Sequence, residues 1–451
     1  MSGSPPPEDA PQGGPEATTP AAATPPDGSS ERDGSSTATL AEDERAAEIA
    51  AADERARDQG AIGLEAGFAQ RFVAAVTGTS VLVTLLAFVA AFIVGGIVIA
   101  LSDEATQQAL GYFTARPSDT FVAAWEVISA AYIALITGSL GGRSQISETL
   151  VAATPLILTG LAVAVPLRAG LFNIGGEGQV IAGGMVAGLI GFSFPGLPLI
   201  IHLPFALLGG LLAGALYGWV PGVLKQRTGA HEVITTIMLN NIGVLTSAYL
   251  LSTLLFRVPE RTDPISRPVA ESATLPRFVP ELRVNVGIVI ALLLGVLIFW
   301  LVERSAQGFE LNAVGLNPHA ATTSGMDPGR TVMRAMTVGG ALAGTAGASV
   351  ILGVQGRITT GFSAGLGFDG ITVALLGRGR IGGTVAAGLL FGALKSGGRS
   401  MQAQTGTSLD LVLVIQALII IFVAAPGLVR AIFRVRAEEL TTAQVAKGWG
   451  S

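Results

Sequence analysis

Long apolar runs separated by short polar stretches dominate the chain from residue 79 onward. A helix needs about 20 apolar residues to cross a bilayer. Seven windows meet that length: 79–101, 148–168, 203–224, 231–256, 284–302, 331–353 and 409–429. Three shorter windows, 179–194, 367–377 and 381–398, bring the predicted segments to ten and put both termini on one side. Residues 125–140 make a marginal eleventh run. It contains Glu126 and stops at Gly141-Gly142-Arg143, so an interfacial helix is preferred there over a span. The expected fold class is all-α, a polytopic transmembrane helical bundle with some segments short or broken.

The breaks in the apolar pattern are as informative as the runs. Between 149–167 and 180–194 the chain reads Arg168-Ala-Gly-Leu-Phe-Asn173-Ile-Gly-Gly-Glu177-Gly-Gln179. Ionisable groups and irregular backbone at membrane depth persist only where they are buried in protein or line a water-filled path. Asn173, Glu177 and Gln179 are therefore candidates for a solute route, although on spacing alone an ordinary polar loop fits equally well. A second break, Gly361-Phe-Ser-Ala-Gly-Leu-Gly-Phe-Asp369-Gly-Ile-Thr372, repeats the acid-glycine step of Glu177-Gly178 and adds Asp369 and Thr372 to the candidates. Matched breaks in two halves point to a transporter built from repeats; the match is short, and chance stays open as its explanation.

The glycines repeat as well. Gly183-Gly184-Met-Val-Ala187-Gly188, Gly209-Gly210-Leu-Leu-Ala213-Gly214 and Gly339-Gly340-Ala-Leu-Ala343-Gly344 share one spacing. Small residues four apart let helices approach closely in lipid, where van der Waals packing holds them together. Gly210, Gly214, Gly340 and Gly344 are read as packing positions in preference to ligand contacts.

Composition supports a membrane protein: half of the 451 residues are hydrophobic and 13% are charged, against about 25% charged in a soluble domain. Charge is divided unevenly. Residues 1–66 hold 14 Asp and Glu against four Arg, a net −10, and the remainder is +5. That acidic, Pro/Ala/Gly-rich tail lacks the apolar residues to offset ordering entropy and is expected to be disordered. It also lacks the apolar core of a cleaved signal peptide. With no Cys and three His, the chain offers no thiol chemistry and no convincing metal site. It holds neither a phosphate-cradling Gly-Lys-Ser/Thr loop nor a plausible hydrolase constellation, so no catalytic residue is assigned. Uphill transport would draw on an ion gradient or on a partner. Lys and Arg in the short loops favour a cytoplasmic N-terminus, with Lys225, Arg227, Arg304, Arg330, Arg378, Arg380 and Arg430 on the inside.

The inside loop 303–330 contains Asn317-Pro318, a good helix start, followed by an Ala-rich stretch that Gly325 ends. By pattern it is a knob for a partner's cleft or a capped connector.

Several blocks carry a specific likeness: 148–160, 168–179, Thr228-Gly-Ala-His231-Glu232 through Asn240, 313–321, Leu352-Gly-Val-Gln355 and 365–377. Across roughly 145–430 the chain resembles ABC-transporter permeases of the branched-chain amino acid, ribose and nucleoside importer group, nearest the simple-sugar and nucleoside branch. The resemblance implies a bacterial plasma-membrane permease with both termini cytoplasmic. It would pair with a second permease, the same or a related chain, with cytoplasmic ABC ATPase subunits that hold ATP and magnesium, and with an extracellular solute-binding lipoprotein. It implies no cofactor on this chain and no nucleic-acid partner. By the same likeness Ala313, Gly315, Asn317, Pro318, Ala320, Ala321 and Gly325 belong to the helix that couples to the ATPase. The domain order expected is a tail over 1–66, a permease domain over 67–436 and a cytoplasmic tail over 437–451. The alternative is an ion-coupled secondary transporter in which Glu177 or Asp369 binds the driving cation or proton.

Overall fold

The computed structural model describes residues 79–434 apart from 260 and 262. The tails over 1–66 and 437–451 lie outside the described residues. Among the described residues the structure is helical, with isolated β-bridges and no strand.

The first helices are α1 (Thr79–Ser102), α2 (Glu104–Leu110), α3 (Pro117–Leu140) and α4 (Arg143–Arg168). On α1 the small residues Ala87, Ala90 and Ala91 face inward while Leu85, Val89, Ile93 and Ile97 are exposed. That is inverted from a soluble helix and suits one facing lipid, where close packing inside and bulk outside are both favourable. Residues 125–140 belong to α3, a 24-residue helix that is long and apolar enough to cross a membrane, whereas the sequence pattern favours an interfacial helix there. Glu126 is exposed and lies near the start of that helix, within the otherwise uncharged stretch Phe121 to Leu140.

α4 is almost wholly buried and forms the axis of the domain. Its two prolines, Pro155 and Pro166, each remove a backbone donor. Thr154 and Thr159 donate back to the carbonyls of Leu150 and Pro155 at 2.8 and 2.9 Å, so their hydroxyls are satisfied within the same helix. α5 (Gly176–Ser193), α6 (Leu199–Thr228), α7 (Glu232–Ser252) and α8 (Gly287–Arg304) follow. The predicted span 231–256 ends early, at Ser252, and the described residues of 253–286 form an irregular cap with one 3-10 turn, Glu271–Ala273.

After α9 (Ala306–Leu316) and α10 (Pro318–Thr323), α11 (Pro328–Val350) returns through the core beside α4 and continues as one π-helical stretch, Ile351–Gln355. α11, α5 and α6 meet at their glycines. A Cβ on Gly214 would collide with the Gly340 carbonyl oxygen, one on Gly344 with the Gly210 carbonyl oxygen, and one on Gly183 with Gly344 itself. Backbones at that separation leave no room for a side chain. α12 (Leu366–Leu376), α13 (Ile381–Thr405), α14 (Leu409–Ala424) and α15 (Pro426–Phe433) complete the chain. The run expected to continue from 409 to 429 breaks at Ala425, and α15 turns by 90° from α14. Pro426 sits at the first position of α15, where its missing N–H costs least.

Candidate functional site

Two short helices start where the apolar pattern is interrupted, and their N-termini meet. Beyond Arg168 the chain folds back along α4, so that the Asn173 amide donates to the Ala162 carbonyl at 3.2 Å, and α5 then begins at Gly176. Beyond the π-helical stretch, residues 356–365 run inward from the 253–286 cap: Val269 N–H donates to the Gly356 carbonyl and Ser266 N–H to the Ile358 carbonyl, both at 2.9 Å. α12 then begins at Leu366. α5 proceeds toward the 253–286 cap, reaching Val269 at Gly191, while α12 proceeds toward the opposite end, reaching Leu167 at Gly379. The two units, α4 with α5 and α11 with α12, are thus inverted relative to one another. Half-helices that start inside a bundle are a means of aiming backbone dipoles at its centre.

Glu177 resolves the electrostatics of that junction. Two helix N-termini brought together place positive partial charges side by side. The Glu177 carboxylate, 6% exposed, accepts the Ser363 hydroxyl at 2.5 Å, Gly365 N–H at 3.1 Å and Gly367 N–H at 2.8 Å. It therefore caps α12 from a position on α5. Gly365 adopts a left-handed φ of 78° to turn into that helix. Gly176 and Gly367 pack backbone to backbone, since a Cβ on Gly367 would collide with Glu177 N. Asn240 on α7 braces the other strand of the junction, accepting Gly178 N–H at 2.9 Å and donating to the Ile174 carbonyl at 2.8 Å.

Asn173 and Gln179 are fully enclosed and paired with each other, amide to carbonyl in both directions at 3.1 and 3.2 Å. Asn173 also accepts Gly175 N–H at 3.1 Å. These two and Glu177 are brought together and sealed inside. Asp369 and Thr372, farther along α12, are half-buried. Asp369 pairs with Lys395 of α13 at 2.5 Å, each side chain 25% exposed. Lys395, Ser363 and Asn240 escaped the sequence reading as site residues: their partners are 26, 186 and 62 residues away, and only the fold supplies the proximity.

At the other end, Asn317 ends α9 and caps α10, its side chain accepting from His319 N–H and Ala320 N–H at 3.0 and 3.1 Å. Pro318 opens α10, and Gly325 follows it at φ 83°. Leu316, Pro318, His319 and Ala320 are exposed, whereas Ala321 is 3% exposed and packs inward. Gly315 abuts Arg168 and Gly170, and Ala313 is half-buried beside it. The Arg168 guanidinium gathers this end: it donates to Glu303 at 2.8 Å, to the Gly379 carbonyl at 2.9 Å and to Asn312 at 3.5 Å. Glu232 is held by Lys225 at 2.5 Å, a pair at the start of α7. Among the described residues no cluster of His, Asp and Glu is arranged to hold a metal ion.

Comparison with known proteins decides the family. Residues 145–424 match the model of the branched-chain amino acid transport system permease component. The chain belongs to this permease family. It is 41% identical to the guanosine ABC transporter permease protein NupP of Bacillus subtilis over 305 residues, 67% of this chain and 87% of that protein. It is 34% identical to the nucleoside ABC transporter permease protein NupB of Lactococcus lactis over 326 residues, 70% of this chain and 89% of that protein. A glucose ABC transporter permease of Haloferax volcanii is 34% identical over 306 residues, 65% of this chain and 79% of that protein. No solved structure matches the chain. The permease is a multi-pass membrane transport component. The ion-coupled alternative finds no support: Glu177 is engaged by three donors and Asp369 by Lys395, so neither offers an open carboxylate to a driving ion.

Proposed function

We propose that the permease is the membrane subunit of an ATP-driven importer for nucleosides or related sugar-bearing solutes. The observation that carries the solute class is the likeness to a guanosine and a nucleoside permease over nearly the whole length of both. In this reading the permease pairs with a second permease, with cytoplasmic ATPase subunits that bind ATP and magnesium, and with an extracellular solute-binding lipoprotein. It sits in the bacterial plasma membrane with both termini cytoplasmic.

The residues divide by task. Asn173, Glu177 and Gln179 hold the half-helix junction, and Asp369 and Thr372, being half-buried, face the solute path. The exposed part of 313–325, from Leu316 to Ala320, docks on the ATPase. Movement there passes through α9 to Arg168, which holds the turn that follows α12 at the Gly379 carbonyl. α12 carries it to the Glu177 cap, where the two inverted units meet. A rigid half-helix pinned at both ends suits this role, since coupling needs an element that both sites bias.

Cells making the permease with its partner subunits should take up labelled guanosine, and unlabelled nucleosides should compete where ribose and leucine do not. Competition by leucine alone would assign the permease to amino acids instead.

A further inference from the structure

One face of α12 gathers polar groups whose hydrogen-bonding capacity the fold leaves partly unused. Thr372 follows Asp369 by three residues and Phe368 by four, so the three side chains are neighbours on the helix surface. Phe368 is 49% exposed. Lys395 reaches this face from α13 and donates to Asp369 Oδ2 at 2.5 Å, each side chain 25% exposed. Among the described residues that is the one side-chain hydrogen bond of either group. Asp369 Oδ1 therefore keeps its lone pairs, and Lys395 keeps two N–H donors. The Thr372 hydroxyl likewise has no partner among the described residues.

Depth decides what this face meets. Gly370 abuts Thr159 and Gly392 abuts Ala153, both in the middle of α4, a buried helix long and apolar enough to cross the membrane. A part-exposed ion pair at that depth faces a water-filled path and not lipid. The pair balances its own charge, so it suits an uncharged solute. Its free donor and acceptor lie side by side, with an exposed aromatic ring one position away along α12. That combination fits a flat molecule whose edge carries a hydrogen-bond acceptor next to an N–H, as every nucleobase does. A free sugar has no flat face for the ring, and leucine has no polar edge.

Resting on the nucleoside reading above, we infer that Phe368, Asp369, Thr372 and Lys395 form a subsite for the base of a nucleoside on its passage through the permease. The Phe368 ring stacks on the base. Lys395 donates to the acceptor on the base edge, Asp369 Oδ1 accepts the neighbouring N–H, and the Thr372 hydroxyl stands between ring and carboxylate. Stacking tolerates any base and strengthens with the area of the ring system, so the subsite favours purines over pyrimidines.

The test uses the full-length permease in vesicles with the proposed ATPase subunits and solute-binding lipoprotein, and measures uptake of labelled guanosine and uridine below saturation. The lipoprotein is the same in every arm, so a changed guanosine-to-uridine ratio belongs to the permease. Phe368→Ala should lower guanosine uptake about fivefold and the ratio about twofold or more. Its melting midpoint should stay at the parent's, because the ring is exposed. Phe368→Tyr keeps an aromatic face and should hold the ratio near that of the parent. Asp369→Asn should narrow about threefold the preference for guanosine over 1-methylguanosine, which lacks the N–H that the carboxylate accepts. If Asp369→Asn fails to fold, Phe368→Ala still decides. A parental ratio in Phe368→Ala, whether uptake is full or uniformly reduced, overturns the subsite. A parent that takes up leucine or glucose and neither nucleoside overturns the nucleoside reading and the subsite with it.

Discussion

Glu177 on one half-helix accepts the backbone N–H of Gly367 on the other at 2.8 Å, joining two segments that lie 190 residues apart. The carboxylate is buried, and its two oxygens meet three donors from the 363–367 turn. A buried charge is stable when it is paired and hydrogen-bonded, and a helix N-terminus is a favourable partner for an anion. Beside the glycine contacts, the inverted units of the permease are therefore tied together by one buried carboxyl side chain.

Glu177→Gln is expected to weaken this connection. The amide keeps the shape but loses the charge, and its NH2 presents donors to donors. Hydrogen bonds to charged groups contribute about 1.5–3 kcal/mol each, so the variant should be destabilised by about 2–4 kcal/mol and should lose most uptake. A Glu177→Gln permease as thermally stable as the parent would mean that the carboxylate is protonated or idle.

The glycine crossing is expected to reject bulk. Gly344 lies against Gly210, Gly214 and Gly183, with backbone on each side. Gly344→Ala should already destabilise, and Gly344→Leu should cost about 3 kcal/mol or more by forcing helices apart. Melting of the detergent-solubilised variants checks this; an unchanged midpoint for Gly344→Leu would contradict the crossing.

Lys395 and Asp369 are expected to depend on each other. Removing one partner leaves a partly buried charge unpaired, whereas removing both does not. Lys395→Met should be destabilised by about 1–3 kcal/mol, and Lys395→Met/Asp369→Leu should recover much of the loss. A double variant no better than the worse single would show that the groups act separately.

The two alanines of α10 are expected to behave differently. Ala320 is exposed and Ala321 is not. Ala320→Arg should leave insertion and melting near those of the parent while abolishing uptake or co-purification of the ATPase subunits. Ala321→Arg should lower the melting midpoint, because the new side chain has to enter the packed interior. Full uptake by Ala320→Arg would place the coupling contact elsewhere.

Much of this fold was legible in the amino-acid pattern because its causes are local. Asn317-Pro318 starts a helix for reasons contained in those two residues, and the capping bonds to His319 and Ala320 are short-range. The glycine spacing announced close helix approach, and the acid-glycine steps located both half-helices. Other features depended on neighbours the pattern does not name. α3 looked marginal because Glu126 interrupts it, and the turn at Ala425 was hidden inside an apolar run that Pro426 alone punctuates. The partners of Glu177 and Asp369, namely Ser363 and Lys395, carry no signal of their pairing. Asn173 and Gln179 were read as candidates for the path, and their polarity is consumed by each other and by backbone.

The most direct test of the account is uptake of labelled guanosine into vesicles holding the permease with the proposed ATPase subunits and solute-binding lipoprotein, with ATP supplied on the cytoplasmic side. The account predicts uptake that requires hydrolysable ATP and persists when sodium and proton gradients are collapsed. Uptake that proceeds without ATP and stops when those gradients collapse would contradict it.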